Sequence, residues 1–486
     1  MGATSAATLE VHFKLFGTDG VSLQSQELSK ALRKRGWQVH RCASDVPDGV
    51  EGLRIPELSY QSEDALSLRR RLFSQAESTS GKDLLAEIEE RASIIRARVK
   101  EYVDAHHIRL LHIRNIMSLP YNLAATLAFH QLVDVRADLF FLLQHHDLYW
   151  EGPNARNFVT PYPRIADLIT SITCPNRVNV AHVLINPIAA QALYQRRGVQ
   201  GTVIPDGFDF DREVVPIDDA VFRSRLETLS GDKSTITRDD LVVAMPARVA
   251  INKAIELAIQ FVAGLETRRA QLEDVPGGLG ARRRKQAAGG KIVLLLPQGE
   301  DLQENLDYFN RLIAYAQHLG VTLAYGGKIV VPDRKFTAGD PDHFPFYSTY
   351  QAVDLVCYPP EHEGFGNQAI ETIWARLPLA VLEYPVFKAF VRDHIPHYIS
   401  LGESAGLGRL DAFGGLHQLP NDVLENALEL AVMVLRDHEL EAQWTAQNWA
   451  SLRAFCGIDT VAQQYIRLYR RGLSQLPSPR LSTNSS

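Results

Sequence analysis

What most constrains this chain is an alternation of short apolar segments with longer amphipathic ones, run through twice. Val11 to Phe16 sets apolar residues at Val11, Phe13 and Leu15 and reads as a strand. Gly17-Thr-Asp-Gly-Val21 follows, then a helix from Ser22 to Lys34, a stop at Gly36 and a strand from Gln38 to Cys42. Residues 62 to 105 read as helical, with Leu84, Ile88, Ala92, Ile95, Val99 and Val103 along one face. Strands recur at Leu110 to Ile113 and Leu139 to Gln144, around a helix over Tyr121 to Phe129, and Val183 to Ile185 and Gly201 to Ile204 add two short ones. After Pro205-Asp-Gly-Phe-Asp209 the alternation restarts with strand Leu241 to Met245, helix Lys253 to Glu266, strand Lys291 to Leu296, helix Leu306 to Leu319 and strand Val321 to Ala324. Such alternation calls for parallel sheets covered by helices on both faces. One open sheet seldom exceeds about ten strands, so two α/β domains with a cleft between them are expected.

The most chemical stretch of the second run is Glu363-Gly-Phe-Gly-Asn-Gln-Ala-Ile-Glu371, set between the apolar runs Ala352 to Tyr358 and Pro378 to Leu382. It reads as strand, glycine turn, helix, strand. Gly364 and Gly366 let backbone amides come close to a ligand, and Asn367 is expected to cap the helix, whose N-terminus then faces an anion such as a phosphate. Glu363 and Glu371 flank that anion as hydrogen-bond acceptors, which suits the hydroxyls of a hexose and a ribose. The pattern asks for a sugar nucleotide.

This stretch resembles the E-x7-E motif of the retaining glycosyltransferases of family four, in Glu363, Gly364, Phe365, Gly366 and Glu371 alike. The resemblance implies the GT-B architecture, two Rossmann-like α/β/α domains facing a central cleft. A second anchor is Met245-Pro-Ala-Arg248-Val-Ala-Ile-Asn-Lys253-Ala-Ile-Glu-Leu-Ala258, where an arginine after a strand and a lysine opening a helix reach the mouth of the same sheet. It looks like the family's R-x4-K pair, which holds the donor diphosphate, although the family's usual glycine after the lysine is Ala254 here. Arg248, Lys253 and the helix N-terminus would stabilise charge on the leaving phosphate, so no metal or other cofactor is required.

In the first domain, Gln144-His145-His146-Asp147-Leu-Tyr-Trp150-Glu151 leaves a strand end, where active-site residues of parallel sheets gather. The family places a histidine there, close to the transferred sugar and the acceptor. His146 beside Asp147 is favoured, with His145 the alternative. Gly17-Thr-Asp-Gly20 resembles the family's glycine-rich loop over acceptor and donor phosphates, and His112-Ile-Arg114-Asn115 is a further candidate wall of the acceptor pocket, with an Asn cap of the following helix as the alternative reading. The loop Gly17 to Leu23 and the string His145 to Glu151 are similar to a subgroup that includes mannosylglucosylglycerate synthases.

Those readings set the expected layout as an acceptor domain over residues 1–205, a donor domain over 206–458, a helix over 459–476 that returns to the first domain, and a disordered tail over 477–486. The basic stretch Arg282 to Lys285 reads as a solvated loop. Composition excludes more than it selects. With 51 basic against 57 acidic residues, nothing global points to nucleic acid. Four widely spaced cysteines suggest neither a zinc site nor a disulfide framework, and the absence of a leader pattern or an 18-residue apolar run points to a cytoplasmic protein without a membrane span.

The expected function is transfer of a hexose from a nucleotide-diphosphate sugar, GDP-mannose or UDP-glucose, to a small polar acceptor such as a glycoside or glycerate derivative. Three alternatives stand beside it. Arg69-Arg-Arg71-Leu-Phe73 is a candidate patch for docking at a membrane and reaching a lipid-linked acceptor, though a charged helix face accounts for it as well. A nucleotide-sugar epimerase, or a sugar binder without turnover, would use the same donor residues.

Overall fold

The computed structural model describes residues 6–17, 19–73, 81–152, 154–273, 290–298 and 302–477. The chain divides into two compact units, one of Met1–Asp209 with Cys456–Ser486, the other of Phe210–Phe455. In the first, a seven-stranded parallel sheet runs Leu53–Arg54, Gln38–Ala43, Ala7–Val11, Leu110–Arg114, Phe140–His145, Val180–Leu184, Gly201–Val203 from edge to edge. Chain order reverses between Ala7–Val11 and Leu110–Arg114. Two connections leave such a point in opposite directions, which opens a crevice beyond the carboxyl ends of those strands.

The opening strand corrects the sequence reading. It spans Ala7–Val11, and Val11 to Phe16 is mostly the loop beyond its carboxyl end. Thr8, Leu9, Glu10 and Val11 are all fully buried because helices cover both faces of the sheet, and the apolar alternation of Ala7, Leu9 and Val11 runs on without a break into the loop at Phe13 and Leu15, so it does not mark the strand's end. Phe13 and Leu15 are buried in the loop itself, where Asp45 accepts from the amides of Leu15 at 2.8 Å and Phe16 at 2.9 Å. Asp19 caps the next helix through Ser22 N at 3.1 Å, so that helix opens at Gly20 rather than Ser22. Within the region 62–105 expected to be helical, Glu63–Phe73 and Gly81–Ala105 are helices, the second burying the six apolar residues named above, and residues 74–80 lie outside the described ones.

The last helix, Ile458–Gln475, belongs to the first unit: Val461, Ala462, Tyr465 and Tyr469 share a core with Leu28, Leu32, Trp37 and Phe140. Gly472, expected to stop this helix, lies within it, where a Cβ would come 2.2 Å from the Phe140 ring. Close helix-to-sheet packing, not termination, is its use. The expected tail past 477 and the basic stretch Arg282 to Lys285 lie outside the described residues.

The second unit repeats the plan. Its sheet runs Ile399–Ser400, Leu379–Val381, Leu355–Tyr358, Leu241–Ala244, Ile292–Leu296, Thr322–Tyr325, Glu227–Ser230, parallel except for the last strand. Here the reversal falls between Leu241–Ala244 and Leu355–Tyr358.

Two helix starts differ from expectation. Lys253 closes a short 3-10 turn, Ile251–Lys253, and the helix proper is Ile255–Thr267, with Ala254 between them at φ +46° and ψ +48°. The cap of Asn367–Trp374 is Gly366 at φ +94°, and Asn367 is the first helical residue. Only glycine enters that conformation without strain.

Candidate active site

The reversal in the second sheet brings together the two motifs read from sequence. The loop after Leu241–Ala244 carries Arg248 and Lys253, and the loop after Leu355–Tyr358 carries Glu363; Glu361 N donates to Asn252 O at 2.9 Å and ties the loops to each other. Lys253 Nζ forms an ion pair with Glu363 Oε1. The Tyr358 hydroxyl donates to that oxygen at 2.6 Å and lies 3.0 Å from Gln368 Oε1. Side chains of Lys253 and Glu363 remain 10% and 17% exposed, enough for a ligand to reach a charge pair otherwise stripped of water. Arg248 is exposed.

The glycine turn is built for close approach. A Cβ on Gly366 would sit 1.8 Å from the Tyr384 hydroxyl, which donates to Phe365 O at 2.9 Å. Gly364 and Asn367 are half-buried at the turn, whereas the Phe365 ring packs against Phe390 and Phe455. Glu371 is buried one helical turn further on. Its Oε2 accepts from Tyr350 Oη at 2.8 Å, and Tyr347 Oη stands 3.5 Å from Oε1. Burial pushes its carboxyl up to about 7, against the Tyr350 hydrogen bond and the Arg212 charge, which pull it down.

In the first unit the two candidate histidines separate. His146 Nε2 lies 3.2 Å from Asp206 Oδ1, and its backbone N–H donates to Asn115 Oδ1 at 2.8 Å. Nδ1 of that ring is buried with no hydrogen-bond partner among the described residues. His145 is turned into the interior, its Nε2 2.9 Å from His182 Nδ1. His182 Nε2 faces the Pro175 carbonyl at 3.0 Å, which can only accept, so His182 donates there and accepts from His145. Burial holds both rings neutral, His182 down to about 4 and His145 well below its ordinary range.

Asp147 is exposed in the same loop. Gly17 and Gly20 flank Asp19, which also pairs with Lys14 at 3.4 Å; Thr18 lies outside the described residues. His112 and Arg114, expected to line a pocket, are fully buried instead. His112 donates to Gln144 Oε1 at 2.9 Å and accepts from Tyr469 Oη at 2.7 Å; Arg114 sits 3.5 Å from Glu10. Both belong to the polar seam under the last helix. The basic patch at residues 69–71 does not form one face, since Arg71 pairs with Glu87 at 2.8 Å while Arg69 lies over the Tyr121 ring.

No family model matches the chain. It is 28% identical over 427 residues to a mannosylglucosylglycerate synthase of Petrotoga mobilis, covering 88% of this chain and 93% of that one. It is also 28% identical over 446 residues to a mannosylglucosylglycerate synthase of Thermotoga maritima, covering 90% and 94%. Sucrose-phosphate synthase from Thermosynechococcus elongatus shares the fold at a TM-score of 0.58 and 16% identity, over 96% of this chain and 99% of that one. The chain is a glycosyltransferase of the GT-B fold.

The glycosyltransferase braces its Lys253 loop from behind. Glu256, in the first turn of Ile255–Thr267, accepts from Tyr308 Oη at 2.5 Å and from the His417 backbone N–H at 2.9 Å, with His417 Nδ1 at 3.1 Å. His417 Nδ1 also lies 3.4 Å from Glu361, and Tyr308 Oη accepts from Ile255 N at 2.9 Å. These residues, like Tyr347 and Tyr350 around Glu371, come from separate segments and leave no spacing in the sequence, whereas Tyr358 ends the apolar run just before Glu363. Asp206 was read only as part of a domain-boundary turn. Among the described residues no group of three His, Cys, Asp or Glu could hold a metal, and no helix is long and apolar enough to cross a membrane.

Proposed function

We propose that the protein is a retaining hexosyltransferase that moves a hexose from a nucleotide-diphosphate sugar, GDP-mannose or UDP-glucose, to a hydroxyl of a small polar acceptor such as a glycoside or glycerate derivative. One observation carries the reading: Lys253, Glu363 and the glycine turn converge at the reversal of the second sheet, with Glu371 in the helix that follows. The names of the two bacterial relatives support a mannosyl donor and a glycerate-containing acceptor.

In this mechanism Lys253 and Arg248 hold the diphosphate, Glu363 and the amides after it hold the sugar ring, and Glu371 takes the ribose hydroxyls. Lys253 leaves or shares its pairing with Glu363 when phosphate arrives, which frees a carboxylate oxygen for a sugar hydroxyl. His146, anchored by Asp206, offers its unpartnered Nδ1 to a hydroxyl of the sugar or acceptor. The acceptor hydroxyl attacks from the face the leaving group departs, its proton passing to the departing phosphate oxygen, so the anomeric configuration is kept. Fixed cations and a helix N-terminus supply the charge stabilisation, so the step needs no metal.

The test is incubation with GDP-mannose, UDP-glucose and ADP-glucose, each with D-glycerate, 2-O-glucosylglycerate or a lipid-linked acceptor, reading products and anomeric configuration by NMR. An α-linked product on a soluble acceptor is expected from an α-linked donor. A β-linked product overturns retention, transfer only to the lipid-linked acceptor overturns the acceptor class, and donor conversion without acceptor makes the protein an epimerase or hydrolase.

A further inference from the structure

We propose that a cavity beside Arg69 in the first domain binds the carboxylate end of a small polyhydroxylated acid. The inference rests on the transfer reading above and deepens it, since it names an anionic acceptor and the residue that recognises it. The cavity measures 220 Å³ and is lined by the turn Pro56–Leu58, the helix Glu63–Phe73 and the start of the helix Leu123–Val135. Drug-sized ligands occupy roughly 300–1,000 Å³, so this space suits a small molecule or one end of a larger one.

Charge in the lining is uneven. Arg91 is matched by Glu87 at 2.7 Å, and Glu57 by Arg98 at 3.4 Å. Arg69 has no carboxylate at ion-pair distance among the described residues; its guanidinium lies 4.7 Å from the centre of the Tyr121 ring and 5.9 Å from that of Phe158. Tyr121 in turn stacks on Tyr60 at 5.3 Å and 28°. Resting on aromatic faces fixes the plane of a guanidinium while leaving its N–H edge to donate, the arrangement that suits two parallel hydrogen bonds to a carboxylate.

The other polar groups suit hydroxyls. Asp64 lines the cavity, is exposed, and can only accept. Ser59 Oγ already accepts from the amides of Gln61 and Ser62, both at 3.1 Å, so its own proton is left to donate. Asn122 makes the wall rigid, since its amide donates to Glu57 O at 2.7 Å and Ser59 O at 3.1 Å while its oxygen accepts from Ala125 N at 3.1 Å. One guanidinium fork, an acceptor carboxylate and a hydroxyl donor against an aromatic wall together describe a ligand with one carboxylate and several hydroxyls. Tyr121 and Phe158, 5.1 Å apart, continue to Tyr149, which follows His146 in the loop by three residues, so the cavity belongs to the aromatic cluster beneath that loop.

The experiment is calorimetric titration of the full chain, without donor, with D-glycerate and with glycerol, which share a carbon skeleton and differ in the carboxylate. Glycerate is expected to bind at least tenfold tighter than glycerol. Arg69→Gln should weaken glycerate at least tenfold, Arg69→Lys should recover only part of that loss, and Arg70→Gln should leave binding unchanged. Equal binding of the two probes, no glycerate binding to the wild type, or unchanged binding in Arg69→Gln overturns the site. The two readings fail separately: transfer to a neutral glycoside without glycerate binding removes this site alone, whereas Arg69-dependent glycerate binding with no turnover of any nucleotide sugar removes the transfer reading alone.

Discussion

In the second domain the strand ends at the sheet's reversal carry charges, Lys253 against Glu363 with exposed Arg248 in the same loop as Lys253; in the first domain the ends of three adjacent strands carry His12, Asn115 and His146, all buried, with the His146 amide donating to Asn115. Burial takes His12 down to about 4, so that ring is uncharged near neutral pH. One topology thus serves two chemistries. In the proposed mechanism a donor phosphate would be gripped by cations, which tolerate partial exposure. A sugar or acceptor hydroxyl would there be oriented by buried hydrogen-bonding groups, which gain directional strength when water is kept away.

The largest expected effect breaks the charged side. Lys253→Ala or Arg248→Ala should lower transfer on the order of a hundredfold or more, the cost of losing a fixed charge at a developing anion. Circular dichroism should show the fold intact. A double variant retaining full activity would remove the donor assignment.

Next comes the turn that presents the amides. Gly366→Ala combines left-handed backbone strain with a Cβ driven into the Tyr384 hydroxyl, so a loss of about 3 kcal/mol in unfolding free energy is expected. Tyr384→Phe in the same background removes the clashing oxygen and should restore part of the loss. No restoration would mean that backbone strain alone sets the cost.

The buried side is tested by its two histidines. His146→Asn should slow transfer roughly 10- to 100-fold. His145→Asn should leave the rate within about threefold and act on stability, by about 1–2 kcal/mol, because it cuts a buried hydrogen bond to His182. Reversed outcomes would exchange the two roles. This distinction was not legible in the sequence, where the residues stand side by side; it arises because successive side chains at a strand end point to opposite faces. Local motifs were far easier to read. Glu363 to Glu371 and Arg248 to Lys253 each sit in one loop, so spacing carries their geometry, and the repeated alternation carried the two Rossmann-like sheets. Partners fixed only by tertiary packing, such as Asp206 for His146, Tyr350 for Glu371 and the Glu256-Tyr308-His417 brace, leave no spacing to find. The opening strand differs from its sequence reading for another reason: apolar residues alternate without a break from Ala7 to Leu15, so alternation alone does not mark where the strand ends and its loop begins.

Glu371 gives the charged side a pH signature. Its carboxyl is raised to about 7 by burial, with Asp333 and Arg212 as the charged groups nearby and Tyr350 and Tyr347 as hydrogen-bond partners. A carboxyl held above its unfolded value binds its proton more tightly in the native state. Its contribution to stability is therefore complete below about 4.5 and is lost as pH rises through about 7, by on the order of 1–3 kcal/mol. Ribose hydroxyls donating to the ionised form would favour it, so nucleotide binding should release protons and tighten by up to about tenfold between pH 6 and 8. Glu371→Gln should flatten both curves. If calorimetry in buffers of different ionisation enthalpy detects no proton release in the wild type, Glu371 is not the ribose acceptor.

The smallest effect concerns Ala254, where the family has glycine. Its left-handed backbone, φ +46°, costs a non-glycine residue about 1–2 kcal/mol. Against that, its side chain is fully buried, which favours alanine by about 0.8 kcal/mol for the methyl group. Alanine also restricts the unfolded chain, for a further gain of about 0.4–1 kcal/mol. These terms nearly cancel, which accounts for alanine being tolerated next to Lys253. Ala254→Gly should shift stability by no more than about 0.5 kcal/mol in either direction and leave transfer unchanged. Denaturant midpoints and initial rates check this. If glycine instead stabilised the fold while slowing transfer severalfold, the strain at Ala254 would be holding Lys253 against Glu363, and the charged half of the comparison would depend on backbone conformation as well as on charge.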